Sequence, residues 1–307
     1  MRLVFFGTPD FAVPSLRALL GEGFDVVAVV TQPDRPHGRS RSRLVPPPVK
    51  VAAEQEGLPV LQPERPSAAG FADELRRLAP DVCIVVAYGH ILKPELLAIP
   101  PRGFINVHAS LLPKLRGAAP IPWSILEGLE TAGISIMLVE EGVDTGPILH
   151  QIETPVARDE TGGELALRLA ELGALALIEC LALLEEGLVT PRPQDDRLAT
   201  HARKIDRETC HIRWDEDAMS VARRIRAFDP EPGAWTELEG RVVKLFGPVH
   251  RPESGVPGAI LTVDPDVVVA AGIGSVGIEE VQPEGRTRMP AAAWARGRGA
   301  EPGQRFR

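Results

Sequence analysis

The segment GFINVHASLLPKLRGAAPIPW, residues 103–123, contains the side chains best suited to chemistry. Within it, Asn106 and His108 are two positions apart, so that on a β-strand their side chains point to the same face. A side-chain amide can stabilise an oxyanion, and an imidazole can move a proton near neutral pH. The pair therefore suits acyl transfer, although a hydrogen-bonded Asn and His that simply close a strand would leave the same pattern.

A third polar position of interest is Asp144, in the segment VEEGVDTGPI. It lies between Gly142 and Gly146, at a predicted turn between two apolar runs, where Asp commonly forms an Asx-turn. In an active site, the same carboxylate would orient His108 or take a proton from an attacking amine. We therefore group Asp144 with Asn106 and His108 as catalytic candidates.

The sequence disfavours two other classes of site, a hydrolase triad and a dinucleotide-binding site. A hydrolase triad of Ser110, His108 and Asp144 lacks a GxSxG elbow, and Ser110 is only two residues from its supposed base. The first strand-to-turn segment, FFGTPDF, lacks the glycines of the GxGxxG dinucleotide fingerprint. That segment indicates a tight turn into a helix.

Arginines concentrate at two places in a chain whose net charge is −8. The segment DRPHGRSRSRLVPPPVK, residues 34–50, predicts an exposed basic loop that is either simply solvated or in contact with phosphates. Its arginines are Arg35, Arg39, Arg41 and Arg43. The C-terminal stretch is also basic, with Arg286, Arg288, Arg296, Arg298, Arg305 and Arg307. Local cationic surfaces are thus predicted on an acidic chain.

The elements that must position these residues alternate between apolar strands and helical patterns. Strands are predicted near residues 2–6, 25–30, 81–87 and 103–109, and the longest helical pattern covers 161–186. Runs of Val and Ile are typical of parallel strands buried on both faces. The pattern predicts an α/β fold with a doubly wound, mostly parallel, Rossmann-like sheet. It places Asn106 and His108 at the carboxyl end of a strand, where such sheets bind ligands.

The sequence changes character near residue 188. The polar, proline-containing text TPRPQDDRLATHARK predicts a linker. Short β-rich pieces separated by Gly and Pro turns follow Gly233, and they predict a smaller C-terminal β-barrel of OB-like type. We predict a catalytic domain at 1–189, a linker at 190–207 and a C-terminal barrel domain at 208–307.

Composition is that of a globular protein of about two domains, with 307 residues, of which 44% are hydrophobic and 25% charged. The three cysteines, Cys83, Cys180 and Cys210, are far apart, which argues against a disulfide framework or a zinc site. No apolar run has the length of a signal peptide or a membrane span. We expect a cytoplasmic protein with no membrane attachment.

Six motifs carry a resemblance to a known family. QPDRPHGR, AYGHIL, INVHASLLPKLRGAAPI, EGVDTGPIL, RIRAFDPEPGAW and VQPEGRTRM occur in this order. Together they resemble the folate-dependent formyltransferase family across nearly the whole chain. The arginine-bearing loop and the last two motifs resemble the members of that family that act on methionyl-tRNA.

The resemblance implies a reaction and a set of site residues. It implies transfer of a formyl group from 10-formyltetrahydrofolate to the α-amino group of methionyl initiator tRNA, by a monomer, without a metal or a covalent enzyme intermediate. Asn106, His108 and Asp144 match the catalytic positions. The folate-contacting positions fall on Ser110, Leu111, Leu112 and Pro113.

The resemblance also implies tRNA contacts in the basic segments. The family's loop arginine falls on Arg39, but the lysines that usually follow it are replaced here by Arg41 and Arg43, in a loop one residue longer. Arg286 and Arg288 are candidate contacts in the barrel. A formyltransferase with a small acceptor, or a non-catalytic binding module, remains an alternative at this stage.

Overall fold

The computed structural model describes residues 1–37 and 43–307, which form two compact units. The first unit comprises Met1–Pro120, Ala132–Thr154 and Ala166–Ala202. The second comprises Ile121–Thr131, Pro155–Leu165 and Arg203–Arg307. Two stretches from the middle of the chain therefore belong with the C-terminal residues.

Most strands and helices before residue 203 build the first unit. The strands are β1 Arg2–Gly7, β2 Asp25–Val30, β3 Arg35–His37, β4 Arg43–Val45, β5 Val60–Leu61, β6 Val82–Val86, β7 Phe104–His108, β8 Arg116–Gly117, β9 Thr131–Leu138, β10 Ile148–Pro155 and β11 His201–Ala202. The helices before residue 203 are α1 Val13–Gly21, α2 Pro48–Gln55, α3 Phe71–Leu78, α4 Pro94–Leu97, α5 Pro120–Leu126 and α6 Gly162–Glu185. Of these, α5 after Pro120 and the first turn of α6 belong to the second unit.

A seven-stranded sheet organises this unit, in the order β10-β9-β7-β6-β1-β2-β5. β1 runs parallel to β2 and β6, β6 to β7, and β2 to β5, whereas β9 is antiparallel to β7. All five residues of β6 are buried, as expected for a central strand covered on both faces. The predicted α/β class with a mostly parallel sheet is confirmed, and β7 lies between β6 and β9.

An aromatic cluster packs against the strands that lead to the site. The ring of Phe6 lies 5.3 Å from that of Tyr88, edge to face, and 5.4 Å from that of Phe104 at the start of β7. Such tilted contacts are the favoured arrangements of aromatic rings. Burial raises the pKa of the Tyr88 hydroxyl to about 12, so this ring remains a neutral phenol inside the core.

Helix α6 begins with a reciprocal cap and packs on the site strand. Thr161 Oγ1 accepts from the backbone N–H of Glu164 at 3.2 Å, and the Glu164 carboxylate accepts from the backbone N–H of Thr161 at 2.9 Å. The bonds that Thr161 donates to this carboxylate, from its backbone N–H and from its hydroxyl, lower the pKa of Glu164. Further along, a Cβ added at Gly173 would lie 3.0 Å from Val107, so the missing side chain allows α6 to approach β7 closely.

The second unit is dominated by antiparallel strands. Its elements are α7 Ala218–Ala227, β12 Ala234–Leu238, β13 Arg241–Arg251, β14 Ile260–Thr262, β15 Val267–Ala270, β16 Ser275–Pro283, β17 Met289–Pro290 and α8 Ala291–Arg296. The strand order is β12-β13-β16-β15-β14, with β17 paired to β16. Every pairing among them is antiparallel.

The last residues of the chain join the two edges of this sheet. Phe306 bridges Leu238 at the end of β12, and Arg305 bridges Ala259 beside β14. The Phe306 ring is 2% exposed and stacks on Trp214 at 5.7 Å. The C-terminal segment thereby completes a small barrel around an apolar core, which confirms the barrel predicted from the short strands. No helix in the described part of the chain is long and apolar enough to cross a membrane.

Candidate active site

Asn106 and His108 lie on β7, at its carboxyl end. Asn106 stands beside Val85 of β6 and Met137 of β9, and is partly exposed. His108 is the last residue of the strand and is 6% exposed. The pairing register is regular through both positions, so the two side chains share a face of the sheet, as the spacing predicts.

Each ring nitrogen of His108 faces an oxygen atom. Nε2 lies 3.0 Å from the backbone oxygen of Leu115, and Nδ1 lies 3.6 Å from Oδ2 of Asp144. The first distance is that of a hydrogen bond, whereas the second exceeds hydrogen-bond length and places the Asp144 carboxylate beside the ring. Both neighbours of the ring are acceptors. The structure thus brings together two of the three catalytic candidates.

Asp144 is held in place by a backbone donor. Its Oδ2 accepts from the N–H of Gly117 at 2.8 Å, and its side chain is 17% exposed. Its φ of 54° lies in the left-handed region, which non-glycine residues seldom adopt. The Asp144 carboxylate is therefore positioned between the His108 ring and the loop that follows β7.

Two glycines are required for this approach. Gly117 has a φ of 119°, and a Cβ there would lie 2.7 Å from the backbone oxygen of Ala202. A Cβ at Gly146 would lie 1.9 Å from the backbone oxygen of Leu138. Neither position accepts a side chain without movement of the backbone. The close packing of these two turns is what brings the Gly117 N–H to the Asp144 carboxylate.

The loop of residues 110–113, to which the resemblance assigns folate contacts, is bonded to the neighbouring strands. Ser135 of β9 donates from Oγ to the backbone oxygen of Ser110 at 2.6 Å and accepts from the N–H of Leu112 at 3.0 Å. Gln151 of β10 donates to the backbone oxygen of Leu112 at 3.0 Å and to Ser135 at 2.8 Å. Both strand residues support the loop, and sequence reasoning missed them.

The four residues 110–113 fall into two groups, two that are buried and two that are partly exposed. Ser110 and Leu112 are 2% and 4% exposed, and their polar groups are satisfied within the protein. Leu111 and Pro113 are partly exposed and can contact a ligand. One signal for the missed support was present in the sequence, since Ser135 interrupts the otherwise apolar run of β9.

Part of the segment predicted as a linker makes hydrogen bonds to the loop after β7, at residues 115–117. Thr200 Oγ1 accepts from the N–H of Leu115 at 2.9 Å, and β11 pairs with β8. Arg192 bridges Ile148 at the start of β10. Thr200 and β11 therefore support the loop that supplies the Leu115 oxygen to His108, whereas Arg192 contacts β10.

The predicted tRNA contacts differ in how much the structure describes. Arg39 and Arg41 lie outside the described residues. Arg43 belongs to β4, which pairs with β3 in antiparallel orientation, His37 opposite Arg43. This hairpin extends from the carboxyl-end side of β2 and leads the chain into α2.

The two barrel arginines have different environments. Arg288 donates to Asp229 at 2.7 Å and to Glu280 at 2.6 Å, and its guanidinium lies 4.1 Å from the centre of the Phe246 ring. Arg286 is exposed, in the turn after β16. Both arginines are exposed, and Arg288 is in addition paired with two carboxylates of its own unit.

Both parts of the chain match models of one family. Residues 1–181 match the formyl transferase model, and residues 204–299 match the model of the formyl transferase C-terminal domain. The chain therefore belongs to the formyl transferase family. It is 45% identical over 307 residues to the methionyl-tRNA formyltransferase of Geobacter sulfurreducens, a match that covers 100% of this chain and 96% of that one.

Solved structures show the same fold at lower sequence identity. A sugar 3N-formyl transferase, crystallised in the presence of dTDP and 5-N-formyl-THF, superposes with a TM-score of 0.70 at 17% identity, over 94% of this chain and 99% of that one. The methionyl-tRNA formyltransferase of Clostridium thermocellum superposes with a TM-score of 0.60 at 16% identity, over 82% and 94%. Both likenesses extend across the two family regions.

Proposed function

We propose that this protein transfers the formyl group of 10-formyltetrahydrofolate to the α-amino group of methionyl initiator tRNA. The observation that carries the proposal is the 45% identity, over the whole chain, to a methionyl-tRNA formyltransferase. The site geometry supports it, because a partly exposed amide shares a face of β7 with a histidine whose ring lies 3.6 Å from a carboxylate.

The loop of residues 110–113 suits the flat heterocycle of a folate donor. Leu111 and Pro113 offer apolar surface, while Ser135 and Gln151 hold the loop through bonds to the backbone of Ser110 and Leu112. A preformed apolar wall lowers the ordering cost of binding. The sugar formyl transferase of the same fold, crystallised with a formylated folate, supports this assignment.

In this proposal the donor supplies an electrophilic formyl carbon, and the protein stabilises the charge that develops on its oxygen. The Asn106 carboxamide donates an N–H to that oxygen as the acceptor amine attacks. A preorganised donor of this kind contributes about 3–4 kcal/mol to the transition state. Its position at the end of a central strand, fixed by neighbours on both sides, provides the preorganisation.

His108 and Asp144 handle the protons. Asp144 accepts the proton that the attacking amine loses. His108, held through Nε2 by the Leu115 oxygen, gives a proton to the departing nitrogen as the bond between that nitrogen and the formyl carbon breaks. The proton on Asp144 then passes to His108 Nδ1, which lies 3.6 Å away, and both groups are restored.

The acceptor is recognised by charge in this proposal. Arg39, with Arg41 and Arg43, guides the phosphates of the tRNA acceptor end, and the exposed Arg286 adds a contact from the barrel. Arg288 supports the barrel surface through its two carboxylate partners. We also propose that the protein acts as a cytoplasmic monomer.

An in vitro formylation assay tests the proposed function. Purified protein, 10-formyltetrahydrofolate and charged tRNA are mixed, and formylmethionine is measured on initiator and elongator methionyl-tRNA. An amino sugar nucleotide serves as the small-acceptor arm. We expect rapid formylation of the initiator, and slow or absent reaction with the other two. Equal or faster reaction with the amino sugar nucleotide would overturn the proposal.

A further inference from the structure

Gln194, in the segment after α6, holds the turn that carries Asp144. Its side-chain Nε2 donates to the backbone oxygen of Asp144 at 2.8 Å and to that of Gly146 at 2.7 Å. Its Oε1 accepts from Nε of Arg116 at 3.0 Å. The amide thus ties together the two carbonyl groups that flank Thr145, and connects them to the loop after β7.

The hydrogen-bond network determines which way the amide points. Two carbonyl oxygens face its nitrogen, and a guanidinium N–H faces its oxygen. The opposite orientation would place Oε1 against two acceptors and Nε2 against a donor. Gln194 is therefore specified as a donor toward the Asp144 turn, a role that neither a carboxylate nor an alkyl side chain can fill.

Arg116 connects Gln194 to the loop after β7. It is 5% exposed, and its Nη2 pairs with Oδ1 of Asp196 at 2.8 Å. The next residue, Gly117, donates the backbone N–H that holds the Asp144 carboxylate. The Asp144 turn is consequently held by hydrogen bonds at two places, from Gly117 to the carboxylate and from Gln194 to the backbone. Arg116 connects the two, because it precedes Gly117 in the chain and donates to Gln194.

The backbone grip matters because Asp144 adopts a disfavoured conformation. Its φ of 54° persists only where the surrounding structure determines it. Without donors to the two carbonyls, the turn can relax toward conformations common to non-glycine residues. Relaxation would swing the carboxylate, which now lies 3.6 Å from Nδ1 of His108.

We propose that Gln194 is a positioning residue for formyl transfer, which keeps the Asp144 carboxylate directed at His108 by fixing the carbonyl groups of the Asp144 turn. This inference rests on the proposed function for the reaction that is measured. It assigns a role to the segment 192–202 beyond that of connecting two parts of the chain.

Two substitutions separate the donor role from the space the side chain fills. Gln194→Glu keeps the size and the acceptor for Arg116 but presents no N–H to the two carbonyls, whereas Gln194→Ala removes everything. We expect both to lower kcat by about 10- to 100-fold, the range for a support to a catalytic group. The KM values for tRNA and donor should change by less than about threefold. Arg197→Ala, an 88% exposed side chain of the same segment, is the control and should retain wild-type kcat.

A double-mutant cycle asks whether Gln194 acts through Asp144. Asp144→Asn is introduced into the wild type and into the Gln194→Glu protein, and kcat is measured for all four. Groups that act as one unit give strongly non-additive losses, whereas independent groups give losses that multiply. We expect Gln194→Glu to cost little further once Asp144 has been replaced.

Several results would overturn the inference. They are wild-type kcat in the Gln194→Glu protein, losses that multiply with that of Asp144→Asn, or unfolding of both Gln194 variants, which would make the role structural. Thermal unfolding of each variant is recorded alongside the kinetics. If the wild-type protein fails to formylate methionyl-tRNA, the proposed function is wrong. That result differs from the three above, so failure of the proposed function can be distinguished from failure of the inference on Gln194.

Discussion

At the scale of single residues, the surroundings of His108 define what the site can do. The ring is held by a backbone oxygen on one side and faces a carboxylate on the other. Asn106 is partly exposed, and in the proposed reaction it is the group that meets the developing negative charge. The proposal thus assigns charge stabilisation to the amide and proton movement to the imidazole.

Replacing these residues tests that division. We expect Asn106→Ala to lose about 100-fold or more in rate, the scale of one oxyanion donor, and His108→Ala and Asp144→Ala to be severely impaired. The measurement is kcat/KM for charged initiator tRNA, with circular dichroism and thermal unfolding as checks on the fold. His150→Ala is the matched control, because His150 makes a comparable pair with Glu179 at 3.0 Å outside the site. A folded Asp144→Ala protein with near-normal turnover would show that the site is wrongly assigned.

At the scale of elements, the site depends on how closely the loop after β7 approaches β11. The two form a short parallel pair, Arg116 opposite His201 and Gly117 opposite Ala202. This pairing places the Gly117 N–H under Asp144, and the same loop supplies the Leu115 oxygen to His108. One loop therefore sets the positions of both partners in the ion pair.

Gly117→Ala probes this approach. The added Cβ would lie 2.7 Å from the Ala202 oxygen, so the loop must shift and the bond to Asp144 must lengthen. We expect a loss of about 1–3 kcal/mol in the free energy of unfolding, together with a fall in kcat larger than that in the control. The control is Gly187→Ala, where φ is 72° but nothing lies within 4 Å of the added Cβ. Equal kinetics for the two variants would mean that the approach does not position Asp144.

At the scale of the whole molecule, the net charge is negative although arginines are concentrated in a few segments. The net charge of −8 would repel a polyanion, so the proposed use of tRNA requires local positive surfaces. The arginines near residues 35–43 and the exposed Arg286 supply them in this proposal. Association driven by such surfaces is sensitive to salt, because counterions are released from the phosphates.

Arg39→Ala tests the phosphate role. We expect it to weaken the use of charged tRNA far more than the binding of the folate donor, and to lower the salt slope of kcat/KM by about one. Arg41→Ala and Arg43→Ala should have smaller effects, since each can substitute for the other. Formylation is measured across a salt series, with donor affinity in parallel and Arg76→Ala on α3 as a surface control. A wild-type slope and efficiency in the Arg39→Ala protein would leave this loop as a solvated basic turn.

The class of fold and the shared face of Asn106 and His108 could both be predicted from the sequence alone. Both follow from local periodicity. Runs of Val and Ile predict buried parallel strands, short strands between turns predict a barrel, and a separation of two on any strand puts side chains on one face. These predictions need no knowledge of which distant segments meet, and the fold class is confirmed by the sheet order and the closed barrel.

The distant groups that support the site could not be predicted from the sequence and emerge from the three-dimensional fold. The turn at Asp144 was compatible with an Asx-turn as well as with a catalytic carboxylate, and the 3.6 Å approach to His108 depends on loops far apart in sequence. Gln194 lies in a segment whose polar residues and prolines predict a linker. The same composition occurs in a solvated linker and in a segment that hydrogen-bonds to a neighbouring turn, so the sequence does not reveal the bond to Asp144. The interleaving of the two units is equally invisible to periodicity, so the domain boundaries at 189 and 208 stay a prediction. Local pattern encodes which surface a residue faces, whereas the partner on that surface is set by chain closure over long separations.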